Sequence, residues 1–174
     1  MLKSVVVCVS LSLFISCKKH SEKEVVSEEI TTTYYLIRHA EKDRSDTTQI
    51  DPALTERGLE RAKLWASYFD SIPLNEIYST NFKRTQQTAM YVASKKKLPA
   101  EGYDPNSLIS EDFYLITKGH KVLIVGHSNT TPRLANQLLG DDTYDEMLDT
   151  DNSSLYVVSL KGAEKKSEIR KVEL

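Results

Sequence analysis

The sequence predicts a single α/β domain, a mostly parallel sheet with helices on both faces. Three observations lead there. Strand-like runs alternate with segments of helical periodicity, which implies βαβ units. Residues 121–125 (KVLIV) are apolar throughout, as in a central strand covered on both sides. The 174 residues show no internal repeat and correspond to about one domain, long enough to bury a sizeable core.

Residues 31–37 (TTTYYLI) are β-branched, aromatic and apolar, the composition of a strand, and they end at Arg38-His39. Thr55 can cap a helix running to Phe69, with Glu56 in its first turn and Leu59, Ala62, Ala66 and Phe69 at helical spacing. Trp65 and Tyr68 widen that stripe, which assigns the Trp to the core. Ile72-Pro73 breaks the helix, and residues 76–78 form a short strand. Residues 82–94 turn helical again, with Thr85, Thr88, Ala89, Val92 and Ala93 on one side. Residues 100–103 are a candidate third strand, and Pro105-Asn106 is expected to start a short helix through Phe113 and Leu115. After the 121–125 strand, residues 132–139 read as a helix ended by Gly140. Residues 155–160 and 167–174 complete the sheet as two strands joined by a turn at Gly162.

Apolar residues make up 40% of the chain and charged residues 28%, close to globular averages, so the composition indicates neither a disordered chain nor a multi-span membrane protein. Lys and Arg number 23 against 25 Asp and Glu, and no basic tract is dense enough to neutralise a run of phosphates, so nucleic acid is not an expected partner. The run Lys95-Lys96-Lys97 falls at a predicted helix end, where cations favour the dipole.

The N-terminus reads differently. A positive Lys3 precedes an apolar stretch, and Ser16-Cys17 then meets Lys18-Lys19-His20, the pattern of a cleaved export signal. The apolar run is too short for a spanning helix, which needs about 20 residues. Ser16-Cys17 resembles the bacterial lipoprotein processing site, in which the chain is cut before a Cys that is then acylated. The alternative is an ordinary secretory signal that happens to contain Cys. Cys8 would leave with residues 1–16, making Cys17 the sole thiol and excluding an intrachain disulfide. Residues 17–30 then form a lipidated Cys17 and a charged tether reaching about 45 Å when extended. Residues 31–174 form the folded domain. The expectation is an exported protein, lipid-anchored to a bacterial membrane on its periplasmic or cell-surface side.

Three predicted strands end in ionisable residues: Arg38-His39 after the first, Arg84 just beyond the second, and His127 after KVLIVG. In an open α/β sheet the carboxyl ends of the strands form the ligand crevice. Two Arg and two His brought together there repel one another unless an anion sits among them. Guanidinium forks suit phosphate oxygens, and the helix start after His127 adds backbone N–H donors. The expected ligand is a phosphoryl group. His20, in the tether, and His120, before a strand, are read as ordinary polar residues.

Leu36-Ile37-Arg38-His39-Ala40-Glu41, Leu54-Thr55-Glu56-Arg57-Gly58, Tyr78-Ser79-Thr80 with Arg84-Thr85 and Thr88-Ala89, and Val125-Gly126-His127-Ser128-Asn129 resemble, in this order over residues 33–139, the histidine phosphatase superfamily. Its fold is the one called phosphoglycerate mutase-like, and the chain resembles its small phosphatase branch. Ala40 stands where Gly more often follows the catalytic His. The resemblance implies that His39 is the nucleophile of a phosphohistidine route needing neither metal nor cofactor. It further implies that Arg38, Arg84 and His127 hold phosphoryl oxygens, with Ser128 and Asn129 completing the cradle. It also implies a carboxylate proton donor from the segment after the third strand. Asp104 is ranked first for that role, over Glu111 and Asp112 in the same segment and over Glu41.

The implied substrate is a phosphorylated small molecule or phosphoprotein. A phosphoglycerate-mutase-type phosphotransferase is the alternative within the enzyme class, although this small chain has little sequence for a closing lid. A non-catalytic phosphate-binding lipoprotein is the alternative outside it. A metal hydrolase using His39, Glu41, Asp43 and His127 is disfavoured by the two Arg. A serine hydrolase built on residues 126–130 is disfavoured by Thr130, which stands where a nucleophile elbow needs Gly.

Overall fold

A computed structural model describes residues 30–174, so the expected signal, Cys17 and nearly all of the tether lie outside the described residues. Six strands form one sheet with the order β3-β2-β4-β1-β5-β6. They are β1 (Thr31–Arg38), β2 (Glu76–Ser79), β3 (Ala100–Gly102), β4 (Lys121–Gly126), β5 (Ser154–Lys161) and β6 (Glu164–Lys171). The helices are α1 (Glu56–Tyr68), α2 (Lys83–Lys96), α3 (Glu111–Ile116) and α4 (Thr130–Leu139).

β1, β4, β2 and β3 pair in parallel, while β5 runs antiparallel to β1 and β6 antiparallel to β5. The reversal has a local cause. After α4 the chain doubles back along that helix, and the Met147 amide donates to the Ser128 carbonyl at the carboxyl edge of the sheet. β5 starts from that edge and can only run back across it.

Alternation along β1 separates two cores. Tyr35 and Ile37 join Leu123, Val125, Leu155 and Val157 against Trp65 of α1, Phe69 at its C-terminal cap, and Ala89 and Val92 of α2. Tyr34 and Leu36 join Val122, Ile124, Tyr156 and Val158 against Phe113, Leu134 and Leu138 of α3 and α4. The sheet is therefore covered on both faces, and Trp65 is fully buried core. Lys95 and Lys96 close α2 beside Asp70, Lys95 at 3.0 Å from its carboxylate.

Two boundaries differ from the sequence reading. The short helix starts at Glu111, not at Pro105, because Ser110 is its cap: the Ser110 hydroxyl accepts from the Phe113 amide at 3.2 Å, and two carboxylates sit in the first turn. The last strand spans Glu164–Lys171, where 167–174 was expected. Its charged sequence hides the pattern, and the tight turn at Gly162 sets its register, with Lys161 opposite Glu164. A charged edge strand also discourages pairing with other chains.

The Leu54-Thr55-Glu56-Arg57-Gly58 segment has a packing reason. Thr55 caps α1 by accepting from the Gly58 amide at 3.1 Å, and a Cβ on Gly58 would sit 2.2 Å from the Glu41 carbonyl oxygen. Glycine lets α1 dock directly on the segment that follows His39.

Candidate active site

The register carries the candidate residues to one level. Arg38 lies opposite Gly126, and Ser79 opposite Val125, so His39, Thr80 and His127 leave three neighbouring strands side by side. A cavity of about 430 Å³ opens there, lined by Arg38, His39, Arg84, His127, Ser128 and Asn129. All six residues expected to handle phosphate are thus brought together. Asp104 is not: it is exposed, accepts from the Asn106 amide within its own turn at 2.9 Å, and leaves Pro105 and Asn106 to line the cavity.

His39 is 3% exposed and tightly framed. Its amide donates to the Gly126 carbonyl, Asn152 donates to its carbonyl at 2.8 Å, and the next amide, Ala40, donates to the Thr88 hydroxyl at 2.9 Å. Its ring Nδ1 lies 2.8 Å from the Ala40 carbonyl oxygen. A carbonyl can only accept, so Nδ1 carries the proton and Nε2 the lone pair. The His127 ring centre is 5.5 Å from that of His39, and His127 Nε2 lies 2.9 Å from the Thr80 hydroxyl. Phe82 meets the His127 ring edge-on, with centroids 5.2 Å apart.

Both guanidinium groups are held from behind. Arg38, 2% exposed, donates from Nη1 to the carbonyls of Leu148 and Asp151 and from Nη2 to Asp149 at 2.5 Å. Arg84 lies 3.5 Å from Asp51 and stacks its guanidinium 4.3 Å over the Phe82 ring. The Nε–H groups of Arg38 and Arg84 are buried with no hydrogen-bond partner. Two unpartnered buried cationic donors are costly unless an anion meets them.

Burial, first of all, pushes the His39 ring down to about 3, and the charges of Arg38, His127 and Arg84 add to it against the opposing Ala40 bond. Burial outweighs the neighbouring charges because the residue is almost wholly enclosed at the end of β1. His127 is lowered to about 4 by burial and then by Arg84, Arg38 and Lys42.

The lone pair of His39 is available in the free protein well below the ordinary histidine value of 6.5, so the acid limb of kcat/KM should fall below that value. Stability runs the same way: between about 3 and 6.5 the unfolded chain takes up a proton that the folded one refuses, so stability drops as pH falls through that window. A kcat/KM profile on a phosphomonoester checks this, and an acid limb centred above 6.5 would contradict the geometry.

Several residues at the site escaped sequence reasoning. Lys42 and Asp149 line this cavity together with His39, and the same three line an adjoining cavity of about 570 Å³ that also takes in Arg44 and Arg57. Asp149 bridges Arg38 and Arg44, the latter at 2.6 Å. Partial burial works against its charge, but the two Arg outweigh this and hold it below the usual carboxylate range. Lys42 offered a signal, lying three residues past His39; Asp149 offered none. Glu41 turns away to Arg61, accepting from its Nε at 2.9 Å, and so ties the segment after His39 to α1. His120 pairs with Glu76 and takes no part in the site. Among the described residues, no three His, Cys, Asp or Glu side chains are grouped as a metal site.

Comparison with known proteins agrees with this geometry. The sequence pattern of the histidine phosphatase superfamily (branch 1) matches residues 34–104. Phosphoserine phosphatase 1 of Hydrogenobacter thermophilus is 40% identical over 67 residues, covering 36% of this chain and 32% of that protein. The chain thus matches about a third of the length of this curated relative. Among solved structures, phosphoglycerate mutase from Bacillus anthracis aligns with a TM-score of 0.62 at 17% identity, covering 81% of this chain and 93% of that one. The protein histidine phosphatase SixA, solved in complex with tungstate, aligns with a TM-score of 0.64 at 18% identity, covering 80% and 96%. At these identities the structural likenesses speak for the phosphoglycerate mutase-like fold. The sequence match adds the stretch from β1 to just past β3: over residues 34–104 the chain is similar to the histidine phosphatase superfamily.

Proposed function

We propose that the protein is a metal-independent phosphomonoester hydrolase that works through a phosphohistidine on His39. One observation carries the reading: a histidine with its lone pair on Nε2 shares a cavity with the guanidinium groups of Arg38 and Arg84, whose buried Nε–H donors have no partner. Nε2 attacks phosphorus, the bond to the leaving oxygen breaks, and the Ala40 carbonyl stabilises the Nδ1–H of the ring as it becomes cationic. Arg38, Arg84 and His127 meet the charge on the phosphoryl oxygens, with Ser128 and Asn129 beside them. Water then cleaves the P–N bond and returns the electron pair to Nε2. Phosphatases among the relatives support the reaction class, and the substrate is a phosphorylated small molecule or phosphoprotein.

The purified domain should turn over p-nitrophenyl phosphate and a panel of phosphomonoesters undiminished by a chelator. Radiolabelled phosphate should be trapped in an acid-labile, alkali-stable bond. Loss of turnover on chelation, or a label with the stability of a phosphoserine, would remove this reading.

The proposal includes export, with cleavage before Cys17, acylation of that Cys and attachment to a membrane. More than one acyl chain is needed for stable anchoring. Mass spectrometry of the native protein should find an N-terminal Cys17 carrying lipid; an unmodified N-terminus elsewhere would reject it.

A further inference from the structure

We infer that Lys42 is the group that protonates the leaving oxygen, a role for which a carboxylate was the expectation. The inference rests on the hydrolase reading above. Each carboxylate at or near the cavity is engaged elsewhere. Glu41 is bound by Arg61, Asp51 accepts from the Lys83 amide at 2.9 Å and faces Arg84, Asp104 closes its own turn, Glu173 in the adjoining cavity accepts from the Ser153 hydroxyl at 2.9 Å, and Asp149 is shared by Arg38 and Arg44. His127 is assigned to the phosphoryl oxygens. Arginine keeps its protons throughout.

Lys42 is left. With His39 and Asp149 it lines both the cavity of the phosphate cradle and the adjoining one, and its charge is felt by His127. Among the described residues its ammonium has no hydrogen bond or ion pair, so its three donors are uncommitted. Burial, and then the charges of Arg44, Arg84 and Arg38, outweigh the opposing pull of Asp149 and lower its affinity for the proton below that of an ordinary lysine. That helps an acid give its proton up.

The step balances. As His39 Nε2 bonds to phosphorus, the electron pair of the breaking P–O bond goes to the leaving oxygen, which takes a proton from Lys42 Nζ and departs as an alcohol. The neutral amine then accepts a proton from the attacking water, the P–N bond breaks, and Lys42 is again an ammonium when phosphate leaves.

A proton donor matters most where the leaving group is basic, so the test compares an alkyl phosphate with p-nitrophenyl phosphate in the wild type, Lys42→Met and Lys42→Arg. Lys42→Met should slow the alkyl phosphate by about 10²-fold and the aryl phosphate about tenfold less severely. Lys42→Arg keeps the charge without a transferable proton and should show the same split. Turnover of the aryl phosphate also reports that each variant has folded. Equal slowing of both substrates, no slowing of either, or recovery of alkyl turnover in Lys42→Arg would overturn the assignment. Labelled phosphohistidine in the wild type tests the underlying reading separately: its presence with equal slowing rejects Lys42 alone, and its absence rejects both.

Discussion

Replacing His39 by alanine should take phosphatase turnover to background, a loss of roughly 10⁴-fold or more, because in the proposed route the residue supplies the atom that bonds to phosphorus. No neighbour can take over: His127 is next to it, but its Nε2 is directed to Thr80, and its ring centre lies 5.5 Å from that of His39. The variant should still fold, since the bonds that seat the segment run through main-chain groups: the His39 amide to Gly126, Asn152 to the His39 carbonyl, and the Ala40 amide to Thr88. Steady-state assay together with trapping of the labelled intermediate checks this. Full turnover in His39→Ala would exclude the covalent route.

Arg84→Ala and Arg38→Ala are each expected to lower kcat/KM by on the order of 10²- to 10³-fold, the scale for losing a transition-state donor. Lysine should not restore the loss at either position. It has no fork, and the unpartnered Nε–H that each Arg holds in the cavity disappears with the guanidinium. The two should differ in stability. Among the described residues the Arg84 side chain is held by Asp51 and the Phe82 ring, whereas Arg38 ties down the 148–151 loop through Leu148, Asp149 and Asp151. Arg38→Ala should therefore also lower the thermal midpoint, while Arg84→Ala leaves it nearly unchanged. Thermal unfolding alongside kinetics separates the effects, and unchanged kcat/KM in either variant would remove that residue from the cradle.

The residues that line the cavity could be read from the chain because Arg38, His39 and His127 stand at the ends of the apolar strands β1 and β4. Burial of β1 and β4 on both faces writes a continuous hydrophobic run, and whatever comes next in a parallel sheet is placed at its carboxyl edge. Arg38, His39 and His127 needed nothing more. The proton donor was not readable in this way. Asp104 is also at a strand end, yet its side chain is used by the turn that Asp104-Pro105-Asn106 makes. Which way a loop side chain points depends on the loop's own hydrogen bonds, and strand periodicity is silent about those.

By itself, then, the sequence determined the alternation of strands and helices, the two-sided burial of the sheet, and the convergence of two Arg and two His at one edge. These depend on local periodicity and on the rules that connect parallel strands. Only the tertiary structure decided which charges are free and which are spent. Arg38 meets Asp149 across 111 residues and Glu41 meets Arg61 across 20, and such pairings arise from the return of the chain after α4 and the docking of α1. No local pattern records them. The depth that pushes His39 down to about 3 is likewise a property of the loops closed over β1, since desolvation depends on everything that surrounds a group and not on its neighbours in the chain.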